Sequence, residues 1–242
     1  MGINHSIVLT GYAAITARGD FTARGKSTFP ATIGGGMIEG FDLRNYPVSK
    51  KTYLDRSSAL ALAGAELALQ DAGISHPPQN AARFGITLGT HYGCIDTMKS
   101  FWDNLSAKGA RFANPLLFSH SYFNSPISLC AIEFGLQGYH NTVCAQAGSA
   151  LEAVRLAHDA IAAGHADAML CGGVDAWTNA RQQMDPADAP GEGSVFFVLE
   201  KSTLAYERNV NIIGEIDAEQ LFISPSDIPY VSDVLRYSGF TV

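Results

Sequence analysis

Residues 141–154 read NTVCAQAGSALEAV, and the fold turns on how this stretch is parsed. Asn141, Thr142, Val143 and Cys144 have the β-branched character of a short strand ending at the cysteine. Small residues follow, and Leu151 to Ala163 carries a helical pattern with Glu152, Arg155 and Asp159 on one stripe. A strand that enters a small-residue turn and leaves as a helix is how many enzymes present a nucleophile. The free N–H groups and dipole at the helix start lower a thiol's pKa and hold a developing oxyanion. Cys144 is the thiol of the stretch, so its place relative to that helix start decides what the chain can do.

Working outward, the flanking segments alternate between strand and helix. Ile7 to Thr10 reads as a buried strand closed by Gly11, and the Gly- and Thr-rich segment 19–41 reads as irregular. Residues 54–74 give the clearest helix, with Leu60, Ala63, Leu67 and Ala68 on one face and Asp71-Ala72-Gly73 ending it. Gly85 to Gly89 forms a second buried strand, Asp96 to Leu105 a helix, and the stretch 115–135 contains a further helical span ending at Gly135. After the quoted turn comes a strand ending in the glycines 172 and 173. A loop with Pro186 and Pro190 then leads to a strand and short helix over 191–209. This order predicts an α/β layered domain on a mixed, mostly parallel sheet over residues 1–216, and residues 217–242, which follow no period, read as an extended tail.

Composition narrows the function. The 242 residues are ample for a real core, and 47% hydrophobic against 16% charged points to extensive buried interface. Sixteen basic and twenty-three acidic residues give a net charge of −7, which argues against binding nucleic acid or an anionic membrane. No apolar run approaches the roughly 20 residues of a membrane span, and the first residues lack a leader's charged segment, so the expected compartment is the cytoplasm. Cysteines 94, 130, 144 and 171 have neither CxxC nor metal-ligand spacing and read as reduced structural thiols, with no metal or cofactor implied.

Taken in order, VLTGYAAIT (8–16), the helix 54–74, RFGITLGTHYG (83–93), FGLQG (134–138), the 141–154 turn, ADAMLCGGVDA (166–176) and GEGSVFFVLEKS (191–202) resemble the N-terminal half of the β-ketoacyl synthases. The resemblance implies a thiolase-like fold, of which this chain supplies the first half, with the nucleophile elbow after the third strand. In that family the catalytic cysteine follows the second glycine of the GLxG motif by about nine residues. Counted from Gly138, that position is Ala147. Family sequences of the type CTSGLDAV also lie without a gap over Ala147, Gly148, Ser149, Ala150, Leu151, Glu152, Ala153 and Val154. Cys144 therefore stands three residues early, and Ser149 has no identifiable base. The family's condensation further needs two histidines from its C-terminal half, whereas the seven histidines here all lie at or before His165. His120 and His140 are the two with a chance of approaching the turn.

The resemblance extends to chain-length factors, homologues that have lost the cysteine and pair with a catalytic ketosynthase in type II polyketide systems, here of the aryl polyene type. The degenerate elbow is Gln146, Ala147, Gly148 and Ser149, with Gln146 or Ala147 in the thiol's place. The resemblance implies a heterodimer in which strand 141–144 pairs antiparallel with the ketosynthase's counterpart, closing an open edge. It implies that Leu116, Leu117, Phe118 and Tyr122 help floor the partner's acyl tunnel, and that acyl carrier protein is met indirectly through the ketosynthase. Two other readings stand beside it: a malonyl-carrier decarboxylase using Gln146, and a docking subunit for carrier protein with no tunnel role.

Overall fold

The computed structural model describes residues 6–25, 36–145, 148–186 and 191–216, so the expected tail and the residues Gln146 and Ala147 lie outside the described part. In chain order the elements are β1 (Ile7–Thr16), β2 (Gly19–Thr22), α1 (Arg56–Asp71), β3 (Phe84–Gly89), α2 (Ile95–Lys108), α3 (Pro115–Ser119) and α4 (Ser125–Phe134). There follow β4 (His140–Val143), α5 (Ser149–Ala162), β5 (Ala168–Asp175), α6 (Asn179–Met184), β6 (Gly193–Lys201), α7 (Ser202–Glu207) and β7 (Gly214–Glu215).

One sheet organises them in the order β2-β1-β6-β5-β3-β4, with β7 beside β1. Among the described residues parallel pairing is confined to β3 with β4 and β3 with β5, while β1, β2, β6 and β7 join antiparallel. The mixed sheet matches expectation, but the antiparallel share is larger than a mostly parallel sheet implies. The reason is local: β1 and β2 form a hairpin, and β6 inserts between β1 and β5. The short β2 also makes the elbow follow the fourth strand rather than the third.

Two helical layers cover the sheet. On one face α1 and α4 pack with Ile15, Leu60, Leu62, Ile86, Leu88, Phe134 and Phe196 into the larger core. On the other, α5 packs Val154, Ala157 and Ile161 against Met169, Phe197 and Leu199. α1 is buried nearly all round because it is built from alanines and leucines and lies between sheet and α4; Asp55 caps it by accepting from the Ser57 N–H at 2.8 Å. Its glycine is a packing device, since a Cβ at Gly64 would stand 2.4 Å from the Ser194 hydroxyl oxygen.

Three expectations need correcting. β1 does not stop at Gly11 but runs to Thr16, with a register shift between Leu9 and Gly11 that brings the backbone against α1's end. A Cβ at Gly11 would lie 2.5 Å from the Ala72 nitrogen, so glycine marks a close approach there rather than a strand end. Within the segment 19–41, residues Gly19–Thr22 do form a strand, and α6 occupies ground read as loop. The helical span expected to end at Gly135 is α4, closed by that glycine in the left-handed conformation, and the short α3 precedes it in the same stretch.

Candidate functional site

The carboxyl ends of the three parallel strands β3, β4 and β5 meet at one place, where open α/β sheets carry their sites. The Thr90 N–H donates to Val143 O at 3.0 Å, tying the end of β3 to that of β4. Asp175, at the end of β5, accepts from the Thr90 hydroxyl at 2.8 Å, the His91 N–H at 3.0 Å and the Tyr92 N–H at 2.9 Å. Burial lifts this carboxyl above its ordinary pKa against the pull of those donors. Arg181 of α6 stacks over the Tyr92 and Trp177 rings at 4.4 and 4.9 Å and donates to Gly191 O at 2.7 Å.

α5 can begin here only because two strands present glycine. A Cβ on Gly89 would stand 2.2 Å from the backbone carbonyl of Ser149, and one on Gly173 would stand 2.5 Å from the Ala150 Cβ. Gly148 precedes the helix with φ 93°, a conformation that favours glycine. The Ser149 hydroxyl accepts from the Ala145 N–H at 2.9 Å, which ties the start of α5 to the residue after Cys144.

Cys144 departs from its expected place. β4 ends at Val143, so the cysteine lies past the strand, and it is exposed, whereas Cys94, Cys130 and Cys171 are buried as structural thiols should be. Its pKa is nonetheless raised, first by desolvation and then by the Asp175 carboxylate. Both influences favour the neutral thiol over the thiolate that a nucleophile needs. Of the two flagged histidines, His140 heads β4 on its exposed side, and His120 packs its ring edge-on to Tyr53 at 5.5 Å.

Among the described residues β4 is the last strand of the sheet on its side. The Ile86 N–H and Thr90 N–H take the carbonyls of Tyr139 and Val143, and the parallel register sets Ile86 opposite His140 and Leu88 opposite Thr142. Alternation then turns the backbone groups of Asn141 and Val143 toward β3, and those of His140 and Thr142 toward the open edge.

α3 carries Leu116, Leu117 and Phe118, and Tyr122 follows it in contact with Phe118. Leu116, Phe118 and Tyr122 are 40%, 49% and 45% exposed, and Leu117 is half-buried. Phe118 touches Phe101 of α2 and Tyr122 at centroid distances of 5.4 and 5.1 Å. α2 itself buries only Thr97 and exposes Trp102, so α2 and α3 form an aromatic flap that little of the described chain covers. The stripe on α5 is as expected, an ion-pair chain in which Arg155 joins Glu152 and Asp159.

Sequence reasoning missed Thr90, Tyr92, Asp175 and Arg181. The signal was present in THYG after one glycine-ended strand and VDA after another, because polar residues at the ends of parallel strands face the site.

These strands, layers and elbow define a ketosynthase half-fold, and comparison with known proteins agrees. Residues 10–188 match the β-ketoacyl synthase N-terminal domain, and the chain belongs to that family. It is 30% identical over 202 residues to the tetracenomycin polyketide synthase ketoacyl synthase alpha subunit of Streptomyces glaucescens, covering 70% of this chain and 47% of that one. Similarity to nodulation protein E of Rhizobium meliloti is 30% over 206 residues, covering 76% and 50%. The chain thus spans about half the length of the curated relatives it matches. Among solved structures it superposes on the ishigamide ketosynthase/chain length factor with a TM-score of 0.70 at 21% identity, covering 88% of this chain and 62% of that one. It also superposes on a type II polyketide ketosynthase solved with its acyl carrier protein, with a TM-score of 0.71 at 19% identity, covering 88% and 68%. These likenesses show a thiolase-like fold. Among the described residues no group of side chains is arranged to hold a metal, and no helix is long and apolar enough to cross a membrane.

Proposed function

We propose that this chain is a non-catalytic chain-length factor of the cytoplasm, which pairs with a catalytic ketosynthase and shapes its acyl tunnel in type II polyketide synthesis of the aryl polyene kind. The observation that carries the reading is the state of the elbow's thiol: Cys144 lies before the turn, exposed, with its pKa raised rather than lowered. The count from Gly138 assigns the nucleophile's position to Ala147, which has no group able to attack. The free edge of β4 and the exposed flap of α2 and α3 are the surfaces a partner would cover. Acyl carrier protein meets the pair through the ketosynthase, since an acidic carrier finds a poor landing on a chain of net charge −7.

Co-expression with a catalytic ketosynthase of a type II polyketide system from the same source is expected to give a 1:1 complex that condenses, where this chain alone does not. Within that complex Leu117→Trp tests the tunnel role. Added bulk at the floor costs about 1–3 kcal/mol against the longest chain and less against shorter ones, so the product distribution shifts to shorter chains by at least one extension unit. Unchanged chain length with weakened carrier binding would favour a docking subunit instead.

A further inference from the structure

We infer that Thr142 is the residue that selects the partner strand, through its hydroxyl as well as its backbone. The inference rests on the pairing proposed above. Thr142 is the central residue of β4 whose N–H and C=O face the open edge, and its side chain lies on the same side as Leu88, toward α1 and α4. Its Oγ1 is buried and has no hydrogen-bond partner among the described residues, although the residue as a whole is partly exposed. Its neighbours are settled: the Asn141 amide reaches the Tyr139 hydroxyl at 3.4 Å, and Val143 is buried.

An unpaired buried hydroxyl destabilises the free chain, and valine, of the same shape and equal strand preference, would remove the cost. The threonine is therefore explained by a state in which the hydroxyl is paired. One rotation about χ1 exchanges hydroxyl and methyl and points Oγ1 at the residue opposite on an added antiparallel strand, where threonine pairs with hydrogen-bonding side chains. The partner strand is accordingly one with a small hydrogen-bonding side chain, serine, threonine or asparagine, opposite Thr142. A strand with an aliphatic residue there leaves the hydroxyl unpaired in the complex as well, and is discriminated against.

The test is the dissociation constant of the purified complex with that catalytic ketosynthase, read by dilution. Thr142→Val should weaken it about tenfold, the loss of one paired buried hydrogen bond, and Thr142→Ser should stay within about threefold of the parent. Equal affinity for Thr142→Val overturns the role of the hydroxyl while leaving strand pairing intact. Wild-type chain that forms no complex with the ketosynthase overturns the proposed function and this contact together.

Discussion

Replacing Thr142 by proline is expected to leave the chain folded and to lower its affinity for the ketosynthase at least about a hundredfold. Proline lacks an N–H and places its ring where that hydrogen was. The N–H of Thr142 points away from β3, so the chain's own ladder loses nothing, and edge strands tolerate proline when the missing donor faces outward. The preceding residue, Asn141, is already extended, as a residue before proline must be. An added strand, by contrast, meets a ring in place of a central donor, which costs one hydrogen bond of about 1 kcal/mol plus the separation of the two backbones. Asn141→Pro is the control of opposite sign: its N–H faces β3, so the lesion falls on the chain itself. Size-exclusion chromatography of the two co-expressed variants, with circular dichroism of whatever remains unpaired, separates the cases. Retention of the 1:1 complex by Thr142→Pro would place the interface elsewhere.

The second large effect is on the elbow. Gly89→Ala puts a Cβ 2.2 Å from the Ser149 carbonyl and 2.4 Å from the Ala150 nitrogen, and these are backbone atoms of α5's first turn with no side-chain freedom to yield. The helix start must lift off the sheet, which separates Ala150 and Val154 from their contacts in the smaller core. Core overpacking that moves backbone costs about 3 kcal/mol or more, a large share of the 5–15 kcal/mol typical of a domain. For a chain of this size that is a fall in Tm of about 6–12 °C, or loss of soluble protein. Gly214→Ala, where an added Cβ meets nothing within 4 Å, should change Tm by less than about 2 °C. Comparable Tm values for the two variants would mean that α5 is not seated on Gly89.

Much of this architecture was legible in the chain. The Leu/Ala pattern of residues 54–74 gave α1 almost to the residue because helix period, cap and closing glycine agree there, and the motif order led to the thiolase-like half-fold. What failed were the glycines. Gly11 has the look of a strand end although it lets β1 touch α1, because a sequence does not distinguish a glycine that ends an element from one that admits a neighbour. Glycines 172 and 173 likewise lie inside β5, which continues to Asp175. The polar crown of Thr90, Tyr92, Asp175 and Arg181 went unseen for a related reason, since its members are adjacent only once three parallel strands are aligned. Cys144 lies just past β4 and exposed, where the sequence suggests a structural thiol within the strand, because the general tendency of free cysteine to be buried says nothing about a residue just beyond an edge strand.

Mass spectrometry of the complex after incubation with acyl-carrier substrate tests most directly whether this chain is a shaping subunit without a nucleophile. Peptide mapping should find the acyl group as a thioester on the ketosynthase and leave Cys144 free, in the complex and on the isolated chain alike. An acyl thioester on Cys144 would show that the thiol attacks in spite of its raised pKa, and would make the chain a catalyst.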